Sequence, residues 1–517
     1  MILPQEPIVT FDRRPADFTG FVHREGNRIV DGTGKPLLLR GMGIGNWMLP
    51  EGYMWKLSPI DSARQIEAHL EDLAGPEAAQ RFWTGFRAAF FNEDDVRRIA
   101  ESGFDHIRLP INARLIQDEA GEPIEAGLRM IDDCVEWCRR HQLWLLLDLH
   151  GAPGGQTGTN IDDSPRGDPD LFIDPQRYRH LAIKVWELLA RRYRHETVVM
   201  GYDLLNEPLP NDWQHKYPAE LVALYQDMTA AIRAIDPDHL IMYEGSHWAT
   251  NWSIFDGVWD ENSALQFHRY WMPPDRAHIA EYLDARERLG LPIYMGEGGE
   301  NNLEWLYAAH RLYEAHDIGW NFWPWKKIGT KTSPASIVAP EGWQEIVDYG
   351  KGGPRPPREA VQRTLEALVE AMRLENCVWN ENVVRAINGD RPAVIPGWAF
   401  GYRGAGESHG VREGTALKGL REEDAVSIVP LSGAAGLPTG FHHTDGRDYL
   451  PAERMGARLR AGDWLEYEAV TGELAAIAVT DETDEPAPVS VSLSERGFRV
   501  TAERETIVAR ITINNGD

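Results

Sequence analysis

The chain has 517 residues, 43% apolar and 10% aromatic, which indicates a folded globular protein of two domains rather than a disordered chain. Lys and Arg number 53 against 80 Asp and Glu, a net charge of −27, and such a field repels phosphates and makes nucleic acid and anionic membrane surfaces poor partners. No apolar stretch approaches the roughly 20 residues that cross a bilayer, and three cysteines, Cys134, Cys138 and Cys377, exclude a disulfide framework and show no metal-ligand spacing.

The first residues, MILPQEPIVTFDRRPADF, lack a basic stretch followed by a long apolar core. No signal peptide is visible, so the cytoplasm is the default compartment unless a leader has been removed. Residues 21–36, FVHREGNRIVDGTGKP, read as a small hairpin with GN and DGTG as turns. A rhythm then sets in. Apolar strand candidates lie at 37–44, 104–109, 143–149, 198–205, 239–243, 264–267, 292–296 and 318–323, and helix-period segments at 93–102, 124–141, 176–195, 218–235, 274–288, 301–315 and 359–373. Strands apolar throughout, alternating with helices, predict a parallel sheet covered on both faces. Eight such units fit a (β/α)8 TIM barrel in the α/β class. An open doubly wound sheet would want a phosphate-binding turn, and RGMGIGNW lacks the third glycine of GxGxxG.

Connections at 48–92, 151–175 and 325–358 all follow strands and therefore share one face of the barrel, where they are read as walls around its mouth. From about residue 380 helical periodicity is read as ending. Alternating runs take over: VSIVPL, DWLEYEAV, LAAIAVT, VSVSLS, FRVTA and TIVARITI. They predict an antiparallel β-sandwich. The expected division is a barrel with its hairpin over 1–375, a connector over 376–397 and a sandwich over 398–517.

Polar residues recur where the barrel strands stop, which is where such barrels carry their chemistry. The second strand is read as ending at Arg108, the third at His150, the fourth at Asn206 and Glu207, the sixth at His268 and Tyr270, the seventh at Glu297, and the eighth at Trp323 and Trp325. Two carboxylates on strands four and seven face each other across the ring. Glycoside hydrolysis needs such a pair, one acid to protonate the leaving oxygen and one carboxylate to attack the anomeric carbon. Arg108 favours the ionised form of a neighbouring carboxyl, and Tyr270 donates to the same group. Asn206 suits the sugar 2-hydroxyl, and a Trp at the eighth strand offers a floor for a pyranose ring. Taken singly, each residue has a structural reading, as an ion-pair member, a helix cap or a turn residue. The set is what points to one mechanism.

These residues resemble glycoside hydrolase family 5 of clan A, in which an Arg, a His, an Asn-Glu-Pro, a His-x-Tyr, a Glu and a Trp follow successive strands. The resemblance covers residues 21 to about 375. LLLRGMGIGNWM and LDLHGAPGGQTG are similar to the exo-acting β-1,3-glucanase and β-glucosidase branch. The resemblance implies a retaining double displacement on a β-linked glycoside, with Glu207 as acid/base, Glu297 as nucleophile and no cofactor. It also implies carboxyl groups about 5 to 5.5 Å apart. GEGGENN and the long 48–92 insertion depart from that branch and leave other sugars open: a β-mannoside, a glycolipid, a diglycoside or a furanoside. A carbohydrate-binding protein without catalysis is the rival of another class, and both glutamates are present against it. LRAGDWLEYEAV resembles a segment of β-sandwich carbohydrate-binding modules, although a purely structural sandwich explains it as well.

Overall fold

The computed structural model describes residues 15–412, 414–471 and 476–514; the leader-peptide reading falls largely on residues 1–14, outside them. Eight parallel strands close into a barrel: β1 (Arg40–Gly43), β2 (His106–Asn112), β3 (Trp144–Gly151), β4 (Val199–Asp203), β5 (Leu240–Glu244), β6 (Ser263–His268), β7 (Ile293–Gly299) and β8 (Gly319–Trp323), with β8 pairing to β1. Antiparallel sheets follow in the C-terminal region. All eight strands coincide with the apolar runs of the sequence, with ends shifted by a few residues. No helix among the described residues is long and apolar enough to cross a membrane.

The N-terminal hairpin, His23–Glu25 paired with Arg28–Val30, contributes Val22 and Ile29 to a cluster with Leu39, Trp144, Leu146, Met200, Leu240, Met242, Ala264 and Tyr294. Most of these come from the early residues of the strands, so the hairpin stoppers the floor of the barrel with apolar side chains. The opposite end is polar. Strand register builds that layer: Asp148 pairs with Asp203 and Glu244 with Gln266.

One irregularity aims the layer. Against β6, Phe267 pairs with Met295 and His268 with Glu297; against β8, Trp320 pairs with Met295 and Phe322 with Gly298. Strand β7 therefore carries one extra residue beside both neighbours, a β-bulge at Gly296–Glu297. Bulges re-aim side chains in this way. Glycine is required there because a Cβ on residue 296 would lie 2.1 Å from Cδ of Gln266.

The predicted mouth loops are partly helical. The 48–92 insertion holds helices Ala63–Ala74 and Pro76–Phe90, and the 325–358 insertion holds helix Trp343–Gly350. The stretch expected to be a connector is structured. Val378–Trp379 pairs with Ala335–Ile337, and helix Glu381–Asn388, placed where helical periodicity was read as over, docks on helix Leu303–Ala315, whose Arg311 donates to the Ile387 carbonyl. Its amphipathic run is only eight residues long, too short to outweigh the β-rich composition around it. Val394–Pro396 already belongs to a C-terminal sheet. The run TIVARITI divides: Thr506–Val508 pairs with Met455–Leu459, whereas Arg510–Ile513 pairs with Val394–Pro396 and Ile477–Thr480.

Replacing Gly296 with Ala inserts a methyl group into space held by Gln266, an overpacking that costs about 1–3 kcal/mol. The expected outcome is a lower thermal denaturation midpoint together with a large loss of kcat, because Gln266 and Glu297 are displaced at the same time; an unchanged midpoint and rate would contradict the bulge.

Candidate active site

Arg108 stands at the centre of the polar layer, fully buried. Its Nε donates to Asp203 Oδ2 at 2.8 Å, Nη1 to Glu297 Oε2 at 2.8 Å, and Nη2 to Asn206 Oδ1 at 2.8 Å and Glu244 Oε1 at 3.0 Å. Asp148 Oδ2 lies 3.2 Å from the same Nη2. The residue is not at a strand end, as the sequence suggested. It is the third residue of β2, and its long side chain carries the charge up the barrel interior to the mouth.

Glu297 accepts a second bond from the Tyr270 hydroxyl at 2.8 Å. Burial, first of all, pushes its carboxyl up to about 7; His268 and Arg108 oppose the rise and Glu207 adds to it. Glu207 follows β4 with φ at +46°, and its amide donates to Glu244 Oε2 at 2.7 Å. Its Oε1 meets His268 Nδ1 at 2.7 Å. Burial alone would lower the His268 pKa, but Glu244, Glu297 and the bond to Glu207 hold it well above the usual imidazole value. His268 is thus a cation donating to Glu207. One atom each of Glu207, His268 and Glu297 lies within 4.8 Å of the other two. A metal would need His268 neutral, and Arg108 already occupies Glu297, so the trio does not fit a cation site.

His150 is pushed by burial, with Arg108 assisting, down to about 4 and is neutral. Its Nδ1 faces Asp148 Oδ2 at 2.7 Å, and its Nε2 faces the Asn206 amide at 3.4 Å. Gln156 ties the two segments together by donating to the carbonyls of His150, at 2.6 Å, and Asn206, at 2.9 Å. Asn206 thereby keeps its oxygen on Arg108 and its NH2 toward the mouth.

Trp323 stacks on His150 with ring centroids 5.4 Å apart and planes 10° from parallel. It lies so close over Gly43 that a Cβ there would fall 2.6 Å from its ring, which accounts for the second glycine of RGMGIG. Its indole donates to the Tyr53 hydroxyl at 3.1 Å. Trp325, the alternative platform, is excluded from the mouth. It is fully buried, donates to Asp95 Oδ1 at 2.8 Å and packs against Trp379, because the chain turns outward after Trp323 and the next indole faces the helical layer.

Several residues of the site were not anticipated. Asp148, Asp203 and Gln266 sit inside strands that read as apolar. Glu244 ends β5 in LIMYE, and it carried the same signal as the other strand ends. Glu51, Tyr53 and Lys327 come from the insertions, and Glu300 directly follows β7. Glu51 is buried; its Oε2 accepts from Asn160 Nδ2 at 3.2 Å, whereas Oε1 has no hydrogen-bond partner among the described residues. Burial, then the charges of Glu297, Glu300 and Glu207, push its carboxyl well up. Tyr53 reaches Glu300 Oε2 at 3.3 Å, and Lys327 is ion-paired with the same carboxylate.

With this geometry in view, the comparisons with known proteins bear on the same part of the chain. The sequence profile of Cellulase (glycosyl hydrolase family 5) matches residues 72–329. The chain belongs to glycosyl hydrolase family 5. Family members hydrolyse O-glycosidic bonds, and this chain is an O-glycosyl hydrolase. A β-xylosidase of Phanerodontia chrysosporium is 29% identical over 346 residues, covering 59% of this chain and 70% of that protein. A probable glucan 1,3-β-glucosidase A of Emericella nidulans is 30% identical over 278 residues, covering 50% of this chain and 66% of that protein. Among solved structures, an endogalactoceramidase aligns with a TM-score of 0.47 at 16% identity, over 96% of this chain and 100% of that one.

Removing the central cation tests the electrostatics. Arg108→Met leaves Glu297, Asp203, Glu244 and Asp148 buried without it, and breaking such a pair costs about 3–5 kcal/mol. Burial already raises Asp203 to about 6 and Glu297 to about 7, and Arg108 holds both down; without it they rise further above their unfolded values, so the variant's folded state binds more protons and loses more stability as pH climbs through and above that window. The variant is expected to denature at lower temperature than the wild type, by a wider margin at pH 8 than at pH 5. An equal margin at both would contradict the reading.

Proposed function

We propose that the enzyme is a retaining, exo-acting β-glycosidase of the β-glucosidase type. The observation that carries this reading is the approach of a Glu207 carboxylate oxygen to within 4.8 Å of one from Glu297. Retaining enzymes hold their carboxyls about 5–5.5 Å apart, and inverting ones leave about 6.5–9.5 Å for a water.

In the first step Glu297 attacks the anomeric carbon while Glu207 protonates the glycosidic oxygen, and the carbon–oxygen bond breaks with its electron pair going to the departing aglycone. A glycosyl ester on Glu297 remains. Water, giving its proton to Glu207, then attacks the same carbon and releases the sugar with retained configuration. Arg108 and Tyr270 each donate to Glu297, which favours the carboxylate needed for attack. Tyr270 is freed to stabilise the ring oxygen side as the ester forms. Asn206 presents its NH2 to the 2-hydroxyl, where a bond strengthens as positive charge grows at the anomeric carbon. Trp323 supplies a flat floor.

The exo reading is supported by the insertions. Asn160 of the 151–175 loop bonds Glu51 of the 48–92 insertion, and Tyr53 of the same insertion bonds Trp323 and Glu300. The glycone side is thus walled by residues with hydroxyl-binding groups, and Glu51 Oε1, buried without a partner among the described residues, suits a terminal sugar. The named relatives favour a glucoside or a xyloside over other glycones.

Glu297→Gln and Glu207→Gln are expected to fold normally and to lose at least about a thousandfold in turnover of aryl β-glycosides. Proton NMR of the first-formed sugar from the wild type is expected to show the β-anomer; the α-anomer would end the retaining mechanism. A panel of aryl β-glucoside, xyloside, mannoside and furanoside substrates decides the glycone. Tyr270→Phe removes a donor to ionised Glu297 and raises its pKa, so the acid limb of the kcat/KM–pH profile moves to higher pH; a limb that stays or moves down would contradict its role.

A further inference from the structure

The mouth of the barrel is not made by the barrel alone. Residues 439–446, TGFHHTDG, belong to the C-terminal β-region, yet they touch the loops that follow three consecutive barrel strands. After β6, Trp271 meets His442 with ring centroids 4.4 Å apart and planes tilted 59°. After β7, buried Asn301, four residues beyond Glu297, donates from Nδ2 to the Phe441 carbonyl at 2.6 Å. After β8, Gly446 comes so near Lys331 and Thr332 that a Cβ on it would lie 2.9 Å from Lys331 Cβ.

The segment is rigid in its own right. Phe441 is fully buried against Trp398 and Tyr449, and its amide donates to Thr439 Oγ1 at 3.2 Å. The Thr439 hydroxyl meets His443 Nε2, also at 3.2 Å. With Phe441 and His443 turned inward, His442 is the ring left exposed between them.

Trp271 is held just as firmly in an unfavourable shape. Its φ is +52°, a left-handed conformation that is uncommon for a bulky residue and costs about 1–3 kcal/mol. Its indole N–H points to the Glu300 carbonyl at 3.4 Å, and the next carbonyl, of Met272, accepts from Trp305 at 2.7 Å. It remains 39% exposed, and its ring sits 5.4 Å from that of Tyr270, which itself bonds Glu297. A large exposed aromatic, locked one ring away from the group that holds Glu297, is poorly explained by packing. Strained residues of this kind gather at ligand clamps.

We propose that Trp271 and His442 together form the aglycone-side wall of the active site, so that the C-terminal β-region completes the substrate site by supplying His442. The inference rests on the glycosidase reading above. The ligand chemistry is a flat face, either an aromatic ring or the apolar face of a second pyranose, stacked in the angle between the two rings. The glycone side is already filled by Glu51, Tyr53, Glu300 and Trp323, whose groups are polar or tied to polar partners. The Trp271–His442 pair is the flat, exposed counterpart beyond Tyr270.

The test compares three substrates with the same glycone: the β-glycosyl fluoride, which has no aglycone to stack, the 4-nitrophenyl β-glycoside and a β-linked disaccharide. His442→Ala is expected to raise KM about three- to tenfold where an aglycone is present, with kcat little changed and the fluoride turned over as by the wild type. His442→Phe is expected to restore KM, and Trp271→Ala to reproduce the defect. A KM effect on the nitrophenyl substrate alone, or on the disaccharide alone, supports the wall and tells which face it takes. Equal losses on all three substrates, or a wild-type KM on both aglycone-bearing ones, would overturn it. A thermal melt of each variant separates lost folding from lost binding. Wild-type inactivity on all three removes the glycosidase reading and this inference with it, whereas an active wild type with an indifferent His442→Ala removes only the inference.

Discussion

A single buried guanidinium organises this enzyme. Arg108 is withdrawn entirely from water and can remain charged there only because β3, β4, β5 and β7 each bring a carboxylate to it. The dependence runs both ways. Without the cation, Asp148, Asp203, Glu244 and Glu297 would repel one another in a medium that screens little. The cluster therefore fixes the relative height of five strands, and it does so at the level where Glu297 and Asn206 need to be held. His268, kept protonated by the same carboxylates, extends the network to Glu207.

Around this network the barrel is asymmetric along its axis. The floor is sealed by the N-terminal hairpin and an apolar layer, and the mouth is left polar and ringed by insertions. The β-bulge in β7 is the local device that joins the two ends of the argument. One extra residue at Gly296–Glu297 brings the carboxylate opposite His268, and the missing side chain at Gly296 leaves room for Gln266, which in turn bonds Asp203 and Glu244. Backbone irregularity and side-chain chemistry are here the same feature.

Much of this was legible from residue order. The eight apolar runs, the long connections on one face and the polar residues that stop the runs led to the barrel and to Arg108, His150, Asn206, Glu207, His268, Tyr270, Glu297 and Trp323. What escaped has a common cause. Strands buried on both faces were read as apolar throughout, but residues i and i+2 share a face. Asp148 lies two before His150 and Gln266 two before His268, so each marks the inward face of its strand, with its polarity answered across the barrel. Glu244 carried the same signal as Glu207 and Glu297. Trp325 failed as a platform because β8 ends at Trp323 and the chain then leaves the barrel, so that the second indole packs against Asp95 and Trp379 rather than toward the mouth. The helix at Glu381–Asn388 and the division of TIVARITI between two sheets depend on partners far away in the chain.

Local order determined the elements and the chemical inventory: alternating apolar periods can only be buried as strands and helices in layers, and acidic, amide and aromatic residues placed at their ends must face a common rim once the barrel closes. Tertiary structure decided everything that depends on distance between chain-remote groups. It set which carboxylates share Arg108, how near Glu207 comes to Glu297, where the 48–92 and 151–175 insertions meet, and that a turn more than a hundred residues beyond the last barrel strand lies against Trp271. Such matters turn on register, bulges and the docking of loops, whose energies are small sums over contacts between distant segments and leave no periodic trace in the chain itself.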